Sequence, residues 1–402
     1  MRTSTASLLA VGLCGGLAVH LVAAPAAADD GKEDLRQDQP GLEAVGAPDS
    51  WERNRGSGAT VAVLDTGVDG SHPDLKDQVT SSDDVTGQDL EPGDDGYGEH
   101  GTGLAGIIAA SGHGREHTGG VMGVAPEAEI LSVRVAADED LGAGDSIADD
   151  ALQRGIDHAV EEGAVVITLP ADAGSGDGER EAVERAVRSG VLVVAPGESA
   201  LAGHENVLGV GAVDDDLRPT GDNGDGVALR APGNDVPTLA PDNAYARLNG
   251  GAPAAAFVAG AAALIRAENP QLLPGQVTDA LVNSAQPAAD SGDTGVLHVP
   301  DATAAAAETA EDIPLYDESL VQEDDEPLVP MWAWWAGGAL LLVLLVLFAF
   351  RLVRARRDPY GIRSAEAGTE NTAAGTAPEN TDTGRAGRRK RGRRRSRRAA
   401  RE

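Results

Sequence analysis

Apolar residues in this chain fall in short runs separated by Gly, Pro and Asp, and the length and flanks of each run predict its element. Val61-Ala-Val-Leu64 is too short for a helix and reads as a strand that ends at Asp65, in the turn Asp65-Thr-Gly67. His100-Gly-Thr-Gly-Leu-Ala-Gly-Ile-Ile-Ala-Ala110 starts in a glycine-rich turn and continues with small and apolar residues, which predicts a helix with His100 at its amino end. A small-residue loop at Asn249-Gly-Gly251 leads into a second apolar helix, entered at Ala252. Strands apolar on both faces belong to sheets covered by helices, so the chain is assigned to the α/β class. Such sheets carry their chemistry at the carboxyl ends of strands, where Asp65 stands.

Two other apolar runs do not belong to such a core. Residues 8–22 follow Met1-Arg2 and precede Ala26-Ala-Ala28, the pattern of a secretory signal spanning residues 1–28. Cys14, the only cysteine, lies inside it, so the mature chain has neither disulfide nor thiol chemistry. Residues 331–350 contain no charge and are long enough to cross a hydrocarbon core of about 30 Å. Trp332, Trp334 and Trp335 crowd one end of this run, while Arg351, Arg354, Arg356 and Arg357 follow the other. The positive-inside rule then predicts a single-pass cell-membrane protein with an extracytoplasmic amino-terminal domain and a cytoplasmic carboxyl terminus.

Charge is divided in the same way. Residues 29–330 carry 59 acidic and 15 basic side chains, a net of −44, and residues 331–402 carry 6 and 16, a net of +10. The acidic part disfavours nucleic acid and anionic surfaces and suits solubility or a basic partner. The tail, residues 354–402, reads as disordered and ends in an Arg-rich run without aromatic residues; it predicts contact with anionic inner-leaflet lipid and no specific nucleic acid. The run 83–95 holds Asp83, Asp84, Asp89, Glu91, Asp94 and Asp95 but lacks the ligand spacing of a known calcium loop. It reads as a solvated acidic loop, with a structural calcium ion as the alternative and no other cofactor expected.

An aspartate at a strand end, a histidine at a helix start and a small-residue loop entering an apolar helix come in the chain order of the subtilisin-type triad. On Asp65-Thr-Gly67, His100-Gly-Thr-Gly103 and the loop at 250–256, the chain resembles the subtilases. Gly123-Val-Ala-Pro126, the stretch 155–167 and Val207-Leu-Gly-Val-Gly-Ala-Val213 extend the similarity over residues 51–307. The resemblance implies a subtilisin-like, mainly parallel sheet flanked by helices, to which one C-terminal transmembrane helix is added.

The departures from that family bear on activity. Its nucleophile loop reads Gly-Thr-Ser-x-Ala-x-Pro; here Gly250, Gly251, Ala252, Pro253, Ala254, Ala255 and Ala256 stand at those positions. Ala252 has no lone pair to attack a carbonyl, and no serine occurs between Ser199 and Ser284. In Val191-Leu-Val-Val-Ala-Pro-Gly-Glu198, Glu198 replaces the asparagine that donates to the oxyanion; loss of such a donor lowers a rate by about 10²–10³. Pro170, in the stretch matching the substrate-binding strand, has no N–H for a peptide backbone. Asp65 and His100 are thus retained triad positions in a chain expected to be a pseudoprotease.

A signal, a tryptophan before the first strand, a subtilase domain, an acidic linker and one terminal anchor resemble the mycosins, membrane-anchored subtilases of type VII secretion machines, and Trp51-Glu-Arg-Asn-Arg-Gly-Ser-Gly-Ala-Thr-Val-Ala-Val63 is the closest local match. The resemblance implies type VII secretion components as partners. The expected organisation is signal 1–28, surface extension 29–50, subtilase-like domain 51–307, acidic linker 308–326, transmembrane segment 327–353 and tail 354–402. Two alternatives to a structural or docking role stay open: an active serine-type endopeptidase using another nucleophile, and a peptide-binding module that does not cleave, with 133–144 as one edge of its groove.

Overall fold

The computed structural model describes residues 35–313 and 331–357, apart from 89, 95, 115–116, 138–146, 148–149, 222–225 and 290–293. The expected signal, most of the linker and the tail lie outside the described residues. Two units are distinguished, residues 1–321 and 322–402.

The first unit opens with two short helices, α1 (Pro40–Ala44) and α2 (Ala47–Ser50). There follow β1 (Thr60–Asp65), β2 (Val79–Asp84), α3 (Glu99–Ala109), the hairpin β3 (Ser111–His113) and β4 (Gly119–Met122), and β5 (Glu129–Arg134). The middle of the chain alternates α4 (Ala151–Glu161), β6 (Val166–Thr168), α5 (Asp177–Arg188), β7 (Leu192–Pro196) and β8 (Leu208–Val213). Next come β9 (Pro219–Thr220), β10 (Val227–Pro232) and the hairpin β11 (Val236–Ala240) and β12 (Ala244–Leu248), and then helices α6 (Gly251–Glu268), α7 (Pro274–Asn283) and α8 (Val299–Glu311).

The main sheet runs β10-β8-β7-β6-β1-β5-β2, all parallel, with β9 added antiparallel to β8. The period-two geometry of a strand divides its apolar residues between two cores. Val61 and Val63 of β1 face the side covered by α3, α6, α7 and α8, whereas Ala62 and Leu64 face α4 and α5. Every residue of α6 from Gly251 to Ile265 is buried. Its Ala and Gly content permits that: a β-carbon on Gly260 would stand 2.7 Å from the Val124 side chain.

The chain leaves β1 for β2 and β5 on one side and returns to β6 on the other, so β1 lies where the strand order reverses. A crevice opens beyond the carboxyl ends of strands at such a reversal, and β1 ends at Asp65.

The extension before the domain does not lie on its surface as expected. Leu42, Val45 and Ala47 are members of the larger core, and the Gln39 side chain pairs with both backbone groups of Met122, at 2.8 and 2.9 Å. Four apolar residues, Leu42, Ala44, Val45 and Ala47, spread over two short helices are too few to show periodicity, which is why the sequence hid it. The domain also runs past its expected end, because α8 continues to Glu311 and Ile313 packs on the core.

The second unit holds α9 (Met331–Arg357). Trp334–Arg354 within it is long and apolar enough to cross a membrane, and its leucines, valines and phenylalanines are exposed along the whole length.

Candidate active site and its departures

Asp65 is fully buried at the end of β1, and its carboxylate is held by two donors. Thr66 N–H donates to Oδ1 at 2.8 Å, and His100 Nδ1 lies 2.9 and 3.0 Å from the two oxygens. A carboxylate only accepts, so the Nδ1 of His100 carries the proton. His100 is the second residue of α3, and a quarter of its side chain is exposed.

Close approach of α3 to the Asp65 turn depends on Gly101. A β-carbon there would stand 2.1 Å from the Gly67 carbonyl, and its N–H donates to Thr66 Oγ1 at 3.1 Å. Gly98 starts the helix in the left-handed region, with its N–H on the Thr66 carbonyl. The sequence therefore specifies the dyad through small residues as much as through the dyad itself.

Neighbouring elements carry Pro170, Glu198 and Ala252. The carboxyl ends of β1, β6 and β7, neighbours in the sheet, lead into Asp65, Pro170 and Glu198 respectively. Pro170 is buried two residues beyond β6. Glu198 reaches across to α6, where Gly251 N–H donates to its Oε1 at 2.9 Å. Gly251 is the first helical residue, Ala252 the second, and Ala252 is buried at 5 % exposure. A carboxylate at a helix amino end satisfies an orphan N–H and is favoured by the helix dipole, by about 0.3–1 kcal/mol. The group that would oppose an oxyanion thus serves as a helix cap.

Glu198 and Gly251 fit one another. A β-carbon at 251 would lie 2.1 Å from Glu198 Oε2 and 2.7 Å from Cδ. The threonine of the family pattern has no room beside this glutamate as placed.

Asp83 and Asp84 of the acidic run are engaged in packing within the domain. Asp84 pairs at 3.1 Å with Arg134, whose side chain is fully buried, and Thr86 Oγ1 and Gln88 Oε1 accept from the same guanidinium at 2.8 and 2.7 Å. Burial opposes ionisation of Asp84, yet hydrogen bonds from Thr86 and Leu90 and the Arg134 charge hold its carboxyl below the usual range. Asp83, likewise lowered against burial, accepts from Ser81 and faces His158 at 3.1 Å. Among the described residues no three Asp, Glu, His or Cys side chains are arranged to hold a metal ion.

A second buried cluster was missed by motif reading. Asp74, fully buried, accepts from His113 Nδ1 at 2.5 Å, Val121 N–H at 2.9 Å and the Tyr245 hydroxyl at 3.2 Å. His72 stacks edge-on against Tyr245. Burial, with Asp74 beside it, pushes the Tyr245 phenol well above its ordinary value. His72-Pro-Asp74 was visible in the sequence; its partners, 39 and 171 residues from Asp74, were not.

The subtilase family profile matches residues 56–299, more than half of the chain. The chain belongs to the subtilase family. This subtilase is 36% identical over 251 residues to the major intracellular serine protease of Bacillus subtilis (strain 168), covering 58% of this chain and 76% of that one. Thermitase of Thermoactinomyces vulgaris is 35% identical over 240 residues (57% and 82% covered), and subtilisin BL of Lederbergia lenta 38% over 260 (61% and 90%). Among solved structures, fervidolysin from Fervidobacterium pennivorans, a keratinolytic enzyme related to subtilisin, superposes with a TM-score of 0.60 at 30% identity. That match covers 69% of this chain and 47% of fervidolysin. The subtilisin-like fold and the protease homology are therefore shared with the family.

Proposed function

We propose that this subtilase is catalytically inert, of the mycosin type, and serves as a membrane-anchored docking or structural subunit at a type VII secretion machine. One observation carries the inertness: the amino end of α6 is capped by Glu198 through Gly251 N–H, with a methyl group at Ala252 beside it. Acyl transfer needs a nucleophile and donors free for developing negative charge. This site offers an alanine and a carboxylate. The retained Asp65–His100 pair is then inherited packing.

The apolar stretch of α9, with arginines at the carboxyl end of the helix, supports anchoring with the domain outside and the tail inside, against anionic lipid. The acidic stretch from the end of α8 to residue 326 is read as a spacer between domain and membrane.

The test is labelling of the purified protein by a serine-directed fluorophosphonate and turnover of unfolded casein, both expected to be absent. Stoichiometric labelling of a serine or threonine, lost in His100→Ala, would sink the reading. The intact geometry of Asp65 and His100 favours one second reading, weak hydrolysis through a water held by His100. It predicts slow casein cleavage without labelling, abolished by His100→Ala.

A further inference from the structure

A groove of about 650 Å³ opens at the end of the sheet opposite the Asp65–His100 pair. Trp51, Arg55, Lys76, Gln78, His117 and Glu127 line it. Gln78 immediately precedes β2, Glu127 lies two residues before β5 and Arg55 five before β1, so the groove sits at the amino ends of three adjacent strands. Asp65 closes the carboxyl end of β1, a strand length of roughly 20 Å away.

Its charge differs from that of its surroundings. Lys76 is the only lysine between residues 33 and 389, it is exposed, and it makes no ion pair among the described residues. Most arginines of the domain are matched to a carboxylate. Arg55 meets Glu127 at 3.1 Å and lies over the Trp51 ring at 5.3 Å, while Trp51 Nε1 donates to the Val124 carbonyl at 2.9 Å. The Trp51–Arg55 wall is thus fixed before any ligand arrives. The net charge of the domain does not forbid an acidic ligand here, because screening limits exposed charges to about 8 Å at physiological salt. Among the residues that line it, Lys76 and Arg55 outnumber Glu127.

The groove leads onto β2, the last strand of the sheet, whose outer side has no partner among the described residues. Val79-Thr-Ser-Ser82 carries no charge, and Thr80 and Ser82 are exposed. A register shift between Val79 and Ser81 bends this edge. Such a bulge keeps added pairing short, which suits a peptide rather than a second sheet.

We propose that this groove docks an extended acidic peptide segment of a partner protein, its carboxylates on Lys76, Arg55 and His117 and its backbone along the free edge of β2. This mode combines main-chain pairing for affinity with charge for selection. It gives the docking reading a surface and does not depend on the loss of catalysis.

The test uses the full chain in detergent and the anisotropy of a fluorescein-labelled peptide of about twelve residues alternating Glu with Val or Thr. Saturable binding is expected, weakened at least about tenfold by Lys76→Glu and by raising salt from about 50 to about 500 mM. His117→Glu should weaken it too, and His100→Ala should leave it unchanged. The matching Lys peptide should not bind. Equal affinity of wild type, Lys76→Glu and His117→Glu, equal binding of the Lys peptide, or no saturable binding would overturn the proposal. Tighter binding of a sulfated polysaccharide that displaces the peptide would overturn it as well, assigning the groove to a glycan. Fluorophosphonate labelling would end the inert reading and leave this one standing.

Discussion

The Glu198 carboxylate lies where a side chain at Gly251 would have to start: Oε2 is 2.1 Å from the position of an added β-carbon, and Oε1 accepts the Gly251 N–H at 2.9 Å. The residues at 198 and 251 are therefore sterically coupled. The glycine makes room for the glutamate, and the glutamate caps the helix that the glycine begins.

A double-mutant cycle tests that dependence. Gly251→Thr is expected to cost about 1–3 kcal/mol when Glu198 is present. In a Glu198→Ala background the cost should shrink, giving a coupling beyond the additivity error of about 0.5 kcal/mol. Urea midpoints of the four proteins decide it, and additive effects would mean that Glu198 simply swings away.

Ala252→Ser alone should not create a protease, because Glu198 and Pro170 leave the surroundings unsuited to an oxyanion and to substrate backbone. Casein turnover is the readout. Recovery to within tenfold of an intact homologue would show that these losses matter little.

Tyr245 predicts an alkaline limb of stability. Its phenol is raised by burial and by Asp74, so the folded protein keeps a proton that the unfolded chain releases near pH 10. That contribution is complete below about pH 10 and is lost as pH rises above it, with a slope of up to about 1.4 kcal/mol per pH unit. Tyr245→Phe should be less stable at pH 8 and show a flatter decline above pH 10. Parallel curves for both proteins would refute the assignment.

Asp84 predicts the acid limb. Its carboxyl is held low in the folded state, so its contribution is present above roughly pH 4 and is lost as the pH falls towards the lowered folded value. Asp84→Asn leaves the buried Arg134 without its carboxylate and should cost about 3 kcal/mol at neutral pH. The variant's stability should also fall less steeply below pH 4, as chemical denaturation across pH would show.

In cells, the proposed role needs a tethered, folded domain and no proton transfer. Deleting residues 331–402 should release the domain and abolish secretion of type VII substrates, whereas Asp65→Asn should be tolerated. Failure of the wild type to co-purify with any secretion component would remove that role.

The sequence by itself determined the fold class, the strand ending at Asp65, the helix starting at His100 and the apolar helix at 331–350. Each is set by local pattern: uninterrupted apolar strands, glycines at close approaches and an uncharged run of membrane length. The alanine at 252 and the glutamate at 198 were likewise legible one at a time. Only the tertiary structure decided what Glu198 does, because its partner Gly251 lies 53 residues away and a capping bond across that distance has no periodic signature. For the same reason the chain concealed the burial of Leu42 and Val45, the Asp74–His113–Tyr245 cluster and the Arg134 cation inside the acidic loop. In each case a side chain's environment is made by elements distant in sequence, and burial and hydrogen bonding are fixed only when the sheet brings them together.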